Sequence, residues 1–146
     1  MKNKIVVLFS LLFLVTFSNL INAQDDAEKQ LIKTSVTKLF DLSKSKDLSA
    51  AAVLLVYTGD DQARNYKQAY NAANSEDLNQ VKRLMKKIKA LLDISDSNTF
   101  TDFGTSTKND VKIYTITVQF KSGAQTLSSV FSFVKSADKF LLASVD

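Results

Sequence analysis

Between residues 57 and 64 the chain sets a phenol, two carboxylates and a guanidinium close together: Tyr57, Asp60, Asp61 and Arg64. Carboxylates and phenols are side chains able to do acid–base work, and their concentration within eight residues makes this the leading candidate site. The same residues also read as a turn, Tyr57-Thr58-Gly59-Asp60-Asp61, in which an aspartate caps the next helix and pairs with Arg64 in its first turn. Tyr66 and Tyr70 follow at helical spacing, and two rings so placed either stack on a ligand or pack half-buried against a sheet. A second constellation is Lys82, Arg83, Lys86, Lys87 and Lys89. Cations at that density either meet an anionic partner, such as lipopolysaccharide or phospholipid headgroups, or form the solvated side of an amphipathic helix.

The absent residue types narrow the chemistry further. With no histidine and no cysteine, Ser-His-Asp and Cys-His catalysis are excluded, as are zinc sites built on those ligands. Acid–base work would fall to Asp, Glu, Lys or Tyr. Gly59, Gly104 and Gly123 are the only glycines, too few and too scattered for a phosphate-cradling loop, so nucleotide enzymes are set aside. Neither a cofactor nor a metal is expected, and no residue is assigned a catalytic role. The basic run carries no interleaved aromatics, which argues against nucleic acid.

These side chains must be positioned by two kinds of element. From Ala27 to about Ser45, Leu31, Ile32, Val36, Leu39 and Phe40 recur at three- and four-residue intervals, which predicts a helix with one buried face. Leu48 to Val56 is a compact apolar stretch that fits a short helix running into a short strand near 53–57, and its periodicity does not decide between helix and strand. Ala63, Tyr66, Ala69, Tyr70 and Ala73 share a helical stripe and predict a helix over 62–73. Asn74-Ser75-Glu76-Asp77 restarts the chain with a cap and two acids that suit a helix dipole. The helix that follows, to about Leu92, carries Leu78, Val81, Leu84, Met85, Ile88 and Leu91 opposite the five cations. From Thr99 the period changes to alternation, predicting strands at 100–105, 111–121, 125–135 and 140–145. In the second, Tyr114, Ile116, Val118 and Phe120 share one face. Short turns between the strands make an antiparallel meander, so the expected class is α+β, with helices packed on one face of a curved four-stranded sheet.

The N-terminus has the parts of an export signal: Lys2 and Lys4, an apolar run from Ile5 to Phe17, and a short polar stretch ending at Ala23. That run is shorter than the roughly 20 residues a spanning helix needs. Residues 1–23 are therefore expected to be removed as a signal peptide, leaving a single domain over 24–146 with no membrane anchor. Loss of Lys2 and Lys4 takes the formal charge from +4 to +2. The expected location is the periplasm or the medium.

Helices first and a long-stranded antiparallel sheet last, in about 120 residues, resembles the cone-shaped, cystatin-like fold of the nuclear transport factor 2-like superfamily. Two stretches carry the resemblance beyond layout: Val56-Tyr57-Thr58-Gly59-Asp60-Asp61, and Phe131-Ser132-Phe133-Val134 with the closing Phe140-Leu141-Leu142-Ala143-Ser144-Val145-Asp146. They are similar to segments of exported, uncharacterised bacterial members, although those often end in a Gly-Asp-Ile-Asp-like tetrad. The resemblance implies a pocket inside the cone and pairing of two copies through the sheet, and it covers both isomerases and simple binding modules. The expected function is a non-catalytic binding or interaction module for a small molecule or an envelope protein. Its alternatives are a cofactor-free isomerase or hydrolase using the Asp/Tyr cluster, and an electrostatic binder of anionic envelope surfaces through the basic helix 75–92.

Overall fold

A computed structural model describes residues 25–146 of the chain. The expected signal peptide, residues 1–23, lies outside the described residues. The chain divides between Leu31 and Ile32 into two units. Of the first, residues 25–31 are helical, with Lys29 Nζ 3.5 Å from the Asp26 carboxylate. The unit from Ile32 to Asp146 carries everything that follows.

Its first helix, α1, covers residues 32–45 and buries Ile32, Val36, Leu39 and Phe40, as the apolar spacing predicts, whereas Leu31, expected on the same face, is exposed. Lys46 ends it in the left-handed region at φ 61°, and the Asp47 N–H returns to the Leu42 carbonyl at 3.2 Å. That is a Schellman closure, which leaves few helix-end carbonyls without donors. Asp47 then caps α2 (Leu48–Ala52) by accepting from the Ala50 N–H at 2.9 Å. Helix α3 (Ser75–Asp93) starts from Asn74, whose side chain accepts from the Glu76 and Asp77 N–H groups. It buries Val81, Met85, Ile88 and Leu91 along one side.

Four antiparallel strands follow in the order in which they occur: β1 (Ser97–Lys108), β2 (Val111–Ser122), β3 (Gln125–Ser136) and β4 (Lys139–Val145). The fold class is α+β, with the helices first and an open, curved antiparallel sheet last. Three two-residue turns join the strands, and each uses a positive φ. Asn109 and Asp110 have φ 50° and 61°, Gly123 has φ 56° and Ala137 has φ 51°. Positive φ at both central residues is the turn geometry that matches strand twist, and Asn and Asp tolerate it. A register shift at Phe100/Phe103 bends β1, and another at Ser132/Phe133 bends the β3–β4 pair.

The side chains of β2 alternate as their sequence predicts. Tyr114, Ile116, Val118 and Phe120 join Phe131, Phe133, Leu142 and the helical faces in the main core. Phe40 lies 6.0 Å from Phe120 and 5.9 Å from Phe131, centroid to centroid, so rings fill the space between α1 and the sheet. The opposite face of the sheet is not simply wet. Ile113, Val134, Leu141 and Val56 form a second small cluster, with Tyr66 and Ala69 packed on it.

The segment 62–73 corrects one expectation. It contains no helix; its backbone is a looped ribbon that extends the sheet beyond β4. Leu55 and Val56 supply the expected short strand as bridges: the Val56 N–H donates to Leu142 O at 2.9 Å, and the Leu142 N–H to Leu54 O at 2.9 Å. Val56 in turn bridges antiparallel to Ala69. The Tyr70 N–H donates to Leu55 O, the Tyr57 N–H to Gln68 O, and the Tyr66 N–H to Tyr57 O. Those bonds engage backbone groups a helix would have used internally, and Tyr66 sits at φ 57°, outside the right-handed helical region. Tyr66 and Tyr70 therefore do not share a stripe. Tyr70 enters the main core, whereas Tyr66 packs on the second cluster across the sheet.

Candidate functional site

The loop 57–70 gathers most of the first constellation, in an order the sequence did not give. The Arg64 guanidinium makes a two-pronged bond to Asp77 at the start of α3, with Nη1 to Oδ1 at 3.4 Å and Nη2 to Oδ2 closer. Asp77 is buried and also accepts from the Asn71 N–H at 2.6 Å. The other side of the guanidinium lies over the Tyr57 ring, 4.0 Å from its centroid. Tyr57 meets Tyr70 edge-on at 5.5 Å, and the Tyr70 hydroxyl shares a 3.3 Å hydrogen bond with Thr58.

Arg64 therefore joins loop to helix rather than facing an open site. Its bond to Asp77 raises its pKa above the ordinary guanidinium value, so it stays charged. Burial pushes the Asp77 carboxyl up, but the Arg64 bond and the Asn71 N–H outweigh that and hold it below the usual carboxylate range. Asp60 and Asp61 are exposed. Asp61 caps the local turn by accepting from the Ala63 N–H at 3.0 Å, and its own N–H approaches the Tyr57 hydroxyl at 3.4 Å. Neither aspartate enters an apolar cavity, and the expected local pairing of Asp60 or Asp61 with Arg64 gives way to the pair with Asp77. Asp77 escaped the sequence reading because it was accounted for as a first-turn acid. No local signal marks a partner 13 residues from Arg64.

The second constellation divides into two stripes of α3. Arg83 and Lys87 are exposed on the flank, where the Lys87 ammonium donates to the Val145 carbonyl of β4. Lys82, Lys86 and Lys89 instead rim a groove of about 410 Å³ between α3 and the α1–α2 corner. Ser43, Leu48 and Met85 complete its lining with Lys46, a fourth cation that sequence reasoning missed because it lies on another element. The lining is almost wholly apolar although lysines supply most of it. Their methylene stems must therefore form the walls, and their charged ends contribute little to the lining. Lys89 is held by Asp93 at 2.6 and 2.7 Å. Among the described residues no carboxylate lies within ion-pair distance of Lys46, Lys82 or Lys86.

A second recess of about 480 Å³ lies at the end of the sheet between Ile94, Phe120, Gln125 and Leu127, and no charged side chain lines it. Among the described residues no helix is long and apolar enough to cross a membrane. No family model matches this chain, and neither the curated proteins nor the solved structures contain a significant match to it.

Proposed function

We propose that this chain is an exported, non-catalytic binding module of the nuclear transport factor 2-like type, and that it binds anionic ligands at the groove between the α1–α2 corner and α3. One observation carries the reading. Lys46 and the stripe Lys82, Lys86 and Lys89 come from separate elements yet converge on one apolar-floored recess. Like charges on one helix face at i and i+4 repel and weaken the helix, and a bound anion relieves that repulsion. The acid–tyrosine cluster supports the non-catalytic half of the reading, since its guanidinium and rings are engaged in fixing the loop. Export rests on Lys2, Lys4 and the apolar run that follows. Helices followed by a meander support the superfamily.

The test is chemical-shift mapping on the isotope-labelled protein with three anionic probes: inorganic phosphate, dodecanoate and phosphatidylglycerol vesicles. Perturbations at residues 43–48 and 82–89 with at least one probe are expected. Silence with all three, or changes confined to residues 57–70, would overturn the reading.

A further inference from the structure

Resting on that reading of the groove, we propose that its occupant is a single-chain anionic amphiphile taken up as a monomer, with its head among the lysines and its alkyl chain against Leu48 and Met85. The volume, about 410 Å³, falls within the range of small-molecule sites. Its chemistry is divided in the way such a ligand is divided. The floor is apolar, and Met85 adds a flexible thioether chain that adapts to an alkyl tail. The lysines that line it come from two elements, the end of α1 and α3.

Among the described residues, Lys46, Lys82 and Lys86 have no carboxylate within ion-pair distance. Asp93 serves Lys89, and the Asp47 carboxylate is engaged in capping α2. An inorganic anion would leave the apolar floor unused. A bilayer is the poorer fit as well. None of the exposed positions of α3 carries a large apolar side chain that could insert between lipids. Val53 and Ile94, exposed at the ends of α2 and α3, are single side chains outside the recess lining, so apolar contact beside the lysines is offered by the recess, where one chain can enter.

Lys46 gives an independent indication. It occupies the left-handed position after α1, where glycine is the favoured residue and a lysine is disfavoured. A lysine there keeps an ammonium at the groove at a conformational cost, the pattern expected where local strain serves a site.

Calorimetric titration of the purified protein tests the proposal, using dodecanoate below its aggregation threshold, acetate, an uncharged dodecyl maltoside and phosphatidylglycerol vesicles. Saturable one-to-one uptake of dodecanoate is expected, about tenfold or more tighter than acetate or the maltoside, with a similar loss in Lys82→Glu/Lys86→Glu. Lys46→Gly should weaken uptake while its Tm stays at or above that of the parent, and it decides the matter if the charge-reversed protein does not fold. Equal uptake of the uncharged chain, indifference to these substitutions, or binding to vesicles or acetate without monomeric dodecanoate overturns the amphiphile. The last of these outcomes leaves the anion-binding module standing. No binding of any anion removes both.

Discussion

The guanidinium of Arg64 grips the carboxylate of Asp77, 13 residues further along the chain, while Asp60 and Asp61 beside it stay in solvent. Because Asp77 also accepts the Asn71 N–H, a single carboxylate fastens the loop at two points to the first turn of α3. Buried ion pairs add little net stability compared with an apolar replacement, but removing one member leaves the other desolvated without a partner. The pair therefore acts chiefly by fixing where the loop lies.

Asp77→Asn should lower the Tm at neutral pH and make stability less dependent on acid. The folded carboxyl titrates below its ordinary value, so the unfolded chain binds more protons in that window and stability rises with pH there. The contribution is complete above the ordinary carboxylate pKa of about 4 and is lost as pH falls through the lower folded value. Exchanging the charge-assisted bond from Asn71 for a neutral one costs roughly 1–2 kcal/mol at pH 7. Denaturant melts of both proteins from pH 2 to 7 should converge at the acid end. Parallel curves would mean that Asp77 is not the titrating group.

Gly59→Ala should loosen the loop. A methyl group there would stand 2.6 Å from the Tyr57 ring and closer still to its hydroxyl, and that ring is held by Arg64 and Tyr70. Tyr57 must swing away, at a cost of about 1–3 kcal/mol for overpacking. Limited proteolysis should then find new cuts within residues 57–70, and an unchanged digestion pattern would contradict the packing described.

Asp110→Gly should stabilise. Residues 109 and 110 both hold positive φ in the β1–β2 turn, and Asn-Gly is the pair that geometry favours. Relief of the left-handed cost is worth up to about 1 kcal/mol, read as a rise of a few degrees in Tm. A fall would show that the Asp110 side chain contributes something the turn geometry does not explain.

Ile116→Ala and Ile113→Ala, three residues apart on opposite faces of β2, should differ. Ile116 is fully buried in the main core, whereas Ile113 belongs to the small cluster under Tyr66 and keeps some exposure. Truncation of a buried isoleucine costs about 2–5 kcal/mol, and Ile116 should lie toward the top of that range and Ile113 near its foot. Equal losses in chemical denaturation would make the two clusters equivalent.

Most of the architecture was legible in the residues. The buried face of α1, the stripe Val81, Met85, Ile88 and Leu91 of α3, and the alternation of Tyr114 to Phe120 followed from spacing alone. The failure at 62–73 is equally instructive. Ala63, Tyr66, Ala69 and Tyr70 have helical spacing, but Val56 and Tyr57 lie near enough in space to take their backbone partners, and pairing with an existing sheet edge prevailed over a short, isolated helix.

What this sequence determined by itself is the kind and order of its elements and the chemistries open to it, because periodicity is set by neighbours a few residues apart and composition by the chain as a whole. What only the tertiary structure decided is which charges meet. Arg64 reaches Asp77 rather than the nearer acids, and Lys46 joins Lys82, Lys86 and Lys89 around one apolar floor. Such encounters depend on how the elements pack, and the spacing of residues along the chain does not encode distances between elements.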